Sequence, residues 1–330
     1  MLWILPVTVT INIIIALIFT DAENIFKLKH FSVPLLILAA VCRFIPWITK
    51  SLRLYNWIRF RNHDISFLEC FRIIIYTELG AMVSPTMIGG ESFYAGMLYN
   101  DGVSGGEALS LTSIAAVENT VFYFLGVPLA MLLAPDISSS IGSFFSNMDY
   151  SNPLIFIGIL GGIALLGYIF VKNSKYGRKI KDKWQHFWGD FKKLYSSMIK
   201  NGKLHFVENI FLCFIHWGAR YAVVTVLALG LGYELNYFKT FVLQWLVFFA
   251  MHFVPTPGAS GGAEGLFLLL FNRSISGDLI GTILIGWRFI DFYFLGILAV
   301  IYLSFEKYVR HINLNKMTEK EPLKDSNTKE

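Results

Sequence analysis

The residues that could do chemistry in this chain are few and sit in unusual surroundings. Two Gly/Pro-rich stretches interrupt apolar sequence: Ser84-Pro-Thr-Met-Ile-Gly-Gly-Glu91 and Phe253-Val-Pro-Thr-Pro-Gly-Ala-Ser-Gly-Gly-Ala-Glu264. Proline and runs of glycine do not continue a regular helix. Irregular backbone is tolerated at membrane depth only where protein buries it or it lines a polar cavity. Each stretch leads into the start of a short helix, where free N–H groups and the positive dipole end favour an anion. Thr86, Gly89, Gly90, Thr256, Gly258, Gly261 and Gly262 are the candidates to meet it. The same glycines could instead serve tight turns and close helix contact. Glu91 and Glu264 could be first-turn acids that complement the dipole.

Charged residues inside apolar sequence form the second group. Arg43, Glu118 (followed by Asn119), Arg220, Arg288 and Asp291 lie within or near apolar spans. A charge at the bilayer centre costs at least ~2.5–3.5 kcal/mol on insertion scales, so it is usually paired or faces a cavity. Phe122-Tyr-Phe-Leu-Gly126 recurs as Phe292-Tyr-Phe-Leu-Gly296, and Glu118 and Arg288 stand at matching places before the two copies. That symmetry predicts a Glu118–Arg288 pair, either as part of an anion site or as a structural lock. Arg43 and Arg220 lie nearer the span ends and are expected to snorkel to headgroups. His216 and His252 have no second ligand at metal spacing and read as hydrogen-bonded membrane histidines. There is no Walker motif, nucleophile elbow or metal-ligand cluster, so no catalytic residue, metal or cofactor is expected.

The elements that must position these residues follow from composition. The chain has 330 residues, of which 55% are hydrophobic and only 15% charged. A soluble domain carries roughly 25% charged residues, so this is a polytopic membrane protein. Cys42, Cys70 and Cys213 read as free, packed thiols. The net charge of +5 gives no reason to invoke nucleic acid. Full spans are predicted at 2–20, 33–49 (kinked at Pro46), 106–134, 153–171, 204–229 and 279–306. Broken helix pairs are predicted at 66–98 and 239–272. Lys50, Arg53, Arg59 and Arg61, interleaved with aromatic residues, suggest an interface segment after the second span. Residues 176–200 read as a basic amphipathic helix on the anionic cytoplasmic leaflet, and 307–330 as a disordered cytoplasmic tail. If each broken pair leaves on the side it came from, every basic cluster and both termini fall in the cytoplasm. The fold expected is therefore an all-α polytopic membrane domain over 1–306. It would comprise two inverted repeats (about 1–134 and 153–306), each of three spans plus a re-entrant broken pair. Gly/Pro-interrupted segments at matching places of inverted halves point to a transporter's central site.

These motifs resemble a known family. Ser84-Pro-Thr-Met-Ile-Gly-Gly-Glu-Ser-Phe-Tyr-Ala-Gly-Met-Leu98 and Gly102-Val-Ser-Gly-Gly-Glu-Ala108 are similar to the T-P-G-x-x-G-G-E…G-V-S-x-x-E-A stretch of the lysylphosphatidylglycerol synthase transmembrane-region (flippase-like) family. Val254–Glu264 is similar to its second signature, P-T-P-G-G-x-G-x-x-E, and Leu52–Trp57 to its basic aromatic stretch. The resemblance implies translocation of a lipid between leaflets, and no lysyltransferase activity without the soluble domain that full-length synthases carry. Tyr94 and Asn119 depart from the family pattern, which often has arginine at both places, so the lipid stays open.

The leading expectation is a translocase, not an enzyme, in the cytoplasmic (plasma) membrane, moving an anionic phospholipid or a polyprenyl-phosphate-linked glycolipid. Its partners would be lipids with anionic headgroups. A small-solute or ion transporter, or a non-transporting partner of a lipid- or glycan-modifying enzyme, are the alternatives.

Overall fold

The computed structural model describes Thr10 and residues 31–84, 89–133 and 175–306. The spans expected at 2–20 and 153–171, the acidic loop 135–152, Thr86 and the tail lie outside the described residues. Among the described residues there are helices and no strands.

The first long helix, α1 (Val33–Phe60), starts on Pro34 in its first turn, where a missing N–H costs nothing. It runs unbroken past Pro46 and Lys50, so the basic, aromatic segment after Lys50 continues the same helix. At 1.5 Å per residue its 28 residues span about 42 Å, well beyond the ~30 Å of a hydrocarbon core. A short connection leads to α2 (Phe67–Val83), which opens on a complete capping box. The Glu69 amide donates to Ser66 Oγ, and Glu69 Oε2 accepts from the Ser66 amide at 2.7 Å. Those Ser66 donors hold the Glu69 carboxyl below the usual carboxylate range. Its contribution is therefore full above the unfolded value of about 4.3 and fades as pH falls through the depressed folded value. Ser66→Ala should lower stability by about 1 kcal/mol, read as an earlier thermal unfolding in detergent. The difference from the native chain should shrink in acid.

After the first interruption come α3 (Gly89–Asn100) and α4 (Gly105–Leu132). The amphipathic helix α5 (Lys175–Asn201) packs against α4, with Met198 buried and Ser110 Oγ donating to Phe191 O at 3.3 Å. Its rings Trp188, Phe191 and Tyr195 stack in series, with centroids 4.9 and 5.6 Å apart. Then follow α6 (Lys203–Gly230), α7 (Tyr237–Met251), α8 (Gly262–Phe271) and α9 (Gly277–Arg288). The last helix continues through a π-helical segment, Phe289–Phe294, and on over 295–306. Four of these helices are long and apolar enough to cross a membrane: Val33–Phe60, Gly105–Leu132, Lys203–Gly230 and Leu279–Glu306.

The elements fall into two matching series. Val33–Phe60 and Lys203–Gly230 are both 28 residues long, and their starts lie 170 positions apart, as do those of Phe67–Val83 and Tyr237–Met251. Local hydrogen bonds repeat at the same offset. The His63 amide donates to Ile58 O, and the Tyr233 amide to Ala228 O. Asn62 and Gly232, at the turns between, both adopt positive φ.

The connections also show which ends lie together. Ser32 N–H donates to Gly230 O, so α1 begins where α6 ends. Arg72, near the start of α2, meets Asp101 beyond the end of α3 at 2.6 Å and Glu306 at 3.3 Å. Arg61, past the end of α1, meets Glu107 in the first turn of α4 at 2.5 Å. Tyr233, before α7, donates to Ser274 O, after α8, at 3.2 Å. These contacts bring the two ends of each short-helix pair together. The Arg72 and Tyr233 links mark opposite ends of the antiparallel α1 and α6.

Candidate functional site

Three of the buried ion-pair groups among the described residues bear on the sequence candidates, and the third of them borders a cavity. The first is closed. Glu118, fully buried on α4, accepts from Arg53 Nε at 2.9 Å and Nη2 at 2.8 Å, Trp57 Nε1 at 2.7 Å and Asn209 Nδ2 at 2.8 Å. Arg53 spends its remaining donors on Asn119 Oδ1 and Ala115 O, both at 3.0 Å. This node ties α1, α4 and α6. Arg53 is buried, and the carboxylate it satisfies is the one expected to hold Arg288.

The second group is where Arg288 goes instead. Arg288 Nε lies 2.6 Å from Glu264 Oε1, both side chains being buried, while Glu264 Oε2 accepts from the Gly261 amide at 2.7 Å. The expected Glu118–Arg288 pair is therefore not formed. Glu264 sits in the first turn of α8, 24 residues from Arg288, and satisfies the guanidinium together with its own helix start.

The interruption glycines are positioned by close packing. Gly258 (φ +59) and Gly261 (φ +81) use left-handed backbone. A methyl on Gly258 would lie 2.5 Å from the Phe292 ring and 3.2 Å from Met82 O at the end of α2. The second interruption is thereby pressed against the last turn of α2. A methyl on Gly90 would meet Ala81 and Thr77 O at 3.0 Å, and one on Gly262 would meet Val254 at 2.4 Å. The Gly89 amide donates to Ser84 Oγ at 2.9 Å, so it and the Gly261 amide are already engaged and are not free anion donors. Thr256 Oγ1 donates to Ser260 O at 2.7 Å, and Glu91 is exposed. Gly258→Ala should cost about 1–3 kcal/mol through overpacking on strained backbone. Gly265→Ala, in α8 with open space around it, should be neutral; thermal unfolding of the two variants checks the contrast.

The third group is Arg43, Lys50, Glu78, Arg220 and Asp291. Arg43 Nε stands 2.6 Å from Asp291 Oδ1 but off the hydrogen-bonding direction, and its Nη2 is 3.4 Å from Glu78. Lys50 Nζ is also 3.4 Å from Glu78, and Arg220 Nη2 is 3.4 Å from Asp291. Arg43 (2% exposed) and Arg220 (8%) are buried in these pairs and do not snorkel. Arg220 also lies over the Phe248 ring, 4.4 Å from its centroid. Asp291 is carried on the π segment, a geometry that recurs at functional sites. His216, buried beside this group, shares a 3.3 Å hydrogen bond with Thr49, as expected of a structural histidine.

Arg220 and Glu78 form the polar wall of a cavity of about 480 Å³ between α2, α4, α6 and α7. The other walls are mainly aromatic: Tyr123, Phe124, Trp217, Trp245, Phe248 and Phe249, with Thr120 and His252. Of the lining residues Phe124 (77% exposed), Phe249 (52%), Thr120 and His252 are exposed, whereas Arg220 is buried.

Of the sequence candidates, only Asp291 belongs to this cavity-side group. Glu118 and Asn119 serve the closed node, and Glu264 and Arg288 pair with each other. Lys50 and Glu78 were not foreseen, and Arg43 and Arg220 were assigned to headgroups. A signal existed: Arg43, Trp47, Lys50, Leu54 and Trp57 recur at helical spacing, so a helix continued past Lys50 puts them on one face.

Comparison with known proteins fits this architecture. The family described as "Lysylphosphatidylglycerol synthase TM region" matches residues 3–299. The chain belongs to that family. A relative described as "UPF0104 membrane protein", from Archaeoglobus fulgidus, is 24% identical over 311 residues, covering 89% of this chain and 94% of the relative. With its four long apolar helices, this family member is an integral membrane protein of the synthase TM-region type. At Asn119, where the family pattern often has arginine, the carbonyl accepts from Arg53 at 3.0 Å and from Trp217 Nε1 at 3.3 Å. An arginine there would meet Arg53 as a like charge.

Proposed function

We propose that this protein moves an anionic amphiphile, a phospholipid or polyprenyl-phosphate-linked glycolipid, between the leaflets of the cytoplasmic membrane, without enzymatic chemistry. The observation that carries this reading is the cavity: its lining is mainly aromatic, with exposed Phe124 and Phe249, and includes the buried cation Arg220. A headgroup can sit on the charged wall while its chains remain in hydrocarbon.

The two series of elements are read as inverted halves with re-entrant short-helix pairs. That reading is supported by the adjacency of each pair's two ends and by the antiparallel α1 and α6. The basic ends of α1 and α5 would then face the cytoplasm, with both termini. Lipids with anionic headgroups are the partners this implies. The test is reconstitution in vesicles carrying fluorescent phosphatidylglycerol or phosphatidylcholine, with external quenching. Faster loss of inner-leaflet phosphatidylglycerol than in protein-free vesicles is expected; equal rates would overturn the proposal.

A further inference from the structure

The charge of the cavity-side group has a consequence for what can bind there. Arg43, Lys50 and Arg220 bring three positive charges, and Glu78 and Asp291 bring two negative ones. One positive charge is left uncompensated. Arg43 Nη1 and Arg220 Nε are buried and have no hydrogen-bond partner. Three of the four ion-pair contacts are long, at 3.4 Å. A buried charge without a partner is costly, and the missing partner here is one negative charge with acceptor oxygens. Resting on the translocase reading, we propose that this cluster is the seat of a singly charged phosphate ester on an amphiphile, and that Glu78 sets the seat's capacity at one charge.

A phosphodiester carries one negative charge and acceptor oxygens suited to guanidinium forks. It brings the cluster to neutrality with Glu78 and Asp291 both ionised. A phosphate monoester carries up to two charges above its second pKa of about 6 and overshoots by one. Glu78 is the residue in a position to enforce this, because it lines the cavity beside Arg220 while Asp291 lies behind. The other groups around Glu78 are Arg43 and Lys50 on α1, Arg220 and His216 on α6, Tyr123 on α4, His252 just past the end of α7 and Asp291 on the last helix. His216 is engaged with Thr49.

The experiment uses the full chain in detergent at pH 8. Binding is followed by the fluorescence of Trp217 and Trp245, which line the cavity, and by calorimetry. The probes are dihexanoyl phosphatidylglycerol, dihexanoyl phosphatidate, dihexanoyl phosphatidylcholine and inorganic phosphate. Phosphatidylglycerol should bind about 10-fold or more tighter than phosphatidate, the scale of one charge-assisted hydrogen bond. Glu78→Gln should reverse that order, because the seat then carries two uncompensated charges. Arg220→Gln should abolish binding of both, and Arg220→Lys, which keeps the charge, should retain part of it and so controls for folding. An order unchanged by Glu78→Gln, or binding indifferent to Arg220→Gln, would overturn the assignment. Inorganic phosphate binding as tightly as phosphatidylglycerol would make the occupant a free anion and overturn the amphiphile part. Charge selection without transbilayer movement in vesicles would leave the seat standing and remove the translocase reading. Movement without charge selection would do the reverse.

Discussion

Arg220→Gln should slow transbilayer movement of an anionic lipid by about 10- to 100-fold in reconstituted vesicles, with the variant still folded. The factor follows from losing one charge-assisted hydrogen bond to the headgroup, worth about 1.5–3 kcal/mol. Folding should survive because Arg220 is the surplus cation of its group. Asp291 keeps Arg43 at 2.6 Å, and Glu78 keeps Arg43 and Lys50. The group then becomes neutral instead of stranding a charge. Some stability is lost with the guanidinium over Phe248, so the thermal midpoint should fall slightly. A full rate in a folded Arg220→Gln protein would remove Arg220 from the transport path.

Glu118→Ala should have the opposite signature: a severe loss of folded protein, on the order of 3–5 kcal/mol, with no specific transport defect in what remains. Truncating Glu118 leaves the buried Arg53 charge without its carboxylate and removes the acceptor of Arg53 Nε, the Trp57 indole N–H and Asn209 Nδ2. Double-mutant cycles by thermal or denaturant unfolding separate this from the symmetric pairing that the sequence suggests. Arg53 and Glu118 should show strong coupling, as should Glu264 and Arg288. Glu118 and Arg288 should combine additively, as sites without shared partners do. Coupling between Glu118 and Arg288 of the size seen in the other two pairs would contradict the structure.

Both predictions turn on residues the sequence could place but not pair. The class of the molecule was legible in its composition and apolar run lengths, and most of the described helix boundaries in caps and breakers. Ser66 starts α2, the Gly/Pro stretches divide the short-helix pairs, and the amphipathic stripe marks α5. The repeated Phe-Tyr-Phe-Leu-Gly pointed to two matching series, and the starts of α1 and α6, and of α2 and α7, share its offset of 170 residues. Even so, the motif is α-helical at 122–126, whereas Phe292–Phe294 of its second copy are in a π turn. Identical side chains cannot decide that difference; the Asp291 and Arg288 partnerships beside the second copy accompany it.

What the sequence determined by itself was local: how far an apolar run extends, where proline or glycine stops it, and which family signatures it carries. Those are properties of neighbouring residues and their hydrogen bonds. Which arginine meets which carboxylate was decided only by the tertiary structure. In a low-dielectric interior a guanidinium pairs with the carboxylate that helix packing brings within about 3 Å, whatever their separation along the chain. Arg53 reaches Glu118 across 65 residues, Arg288 reaches back 24 to Glu264, and Arg43 meets Asp291 from near the other end of the described chain. The same packing leaves Arg220 and Glu78 on a cavity wall, with one positive charge more than the group can balance.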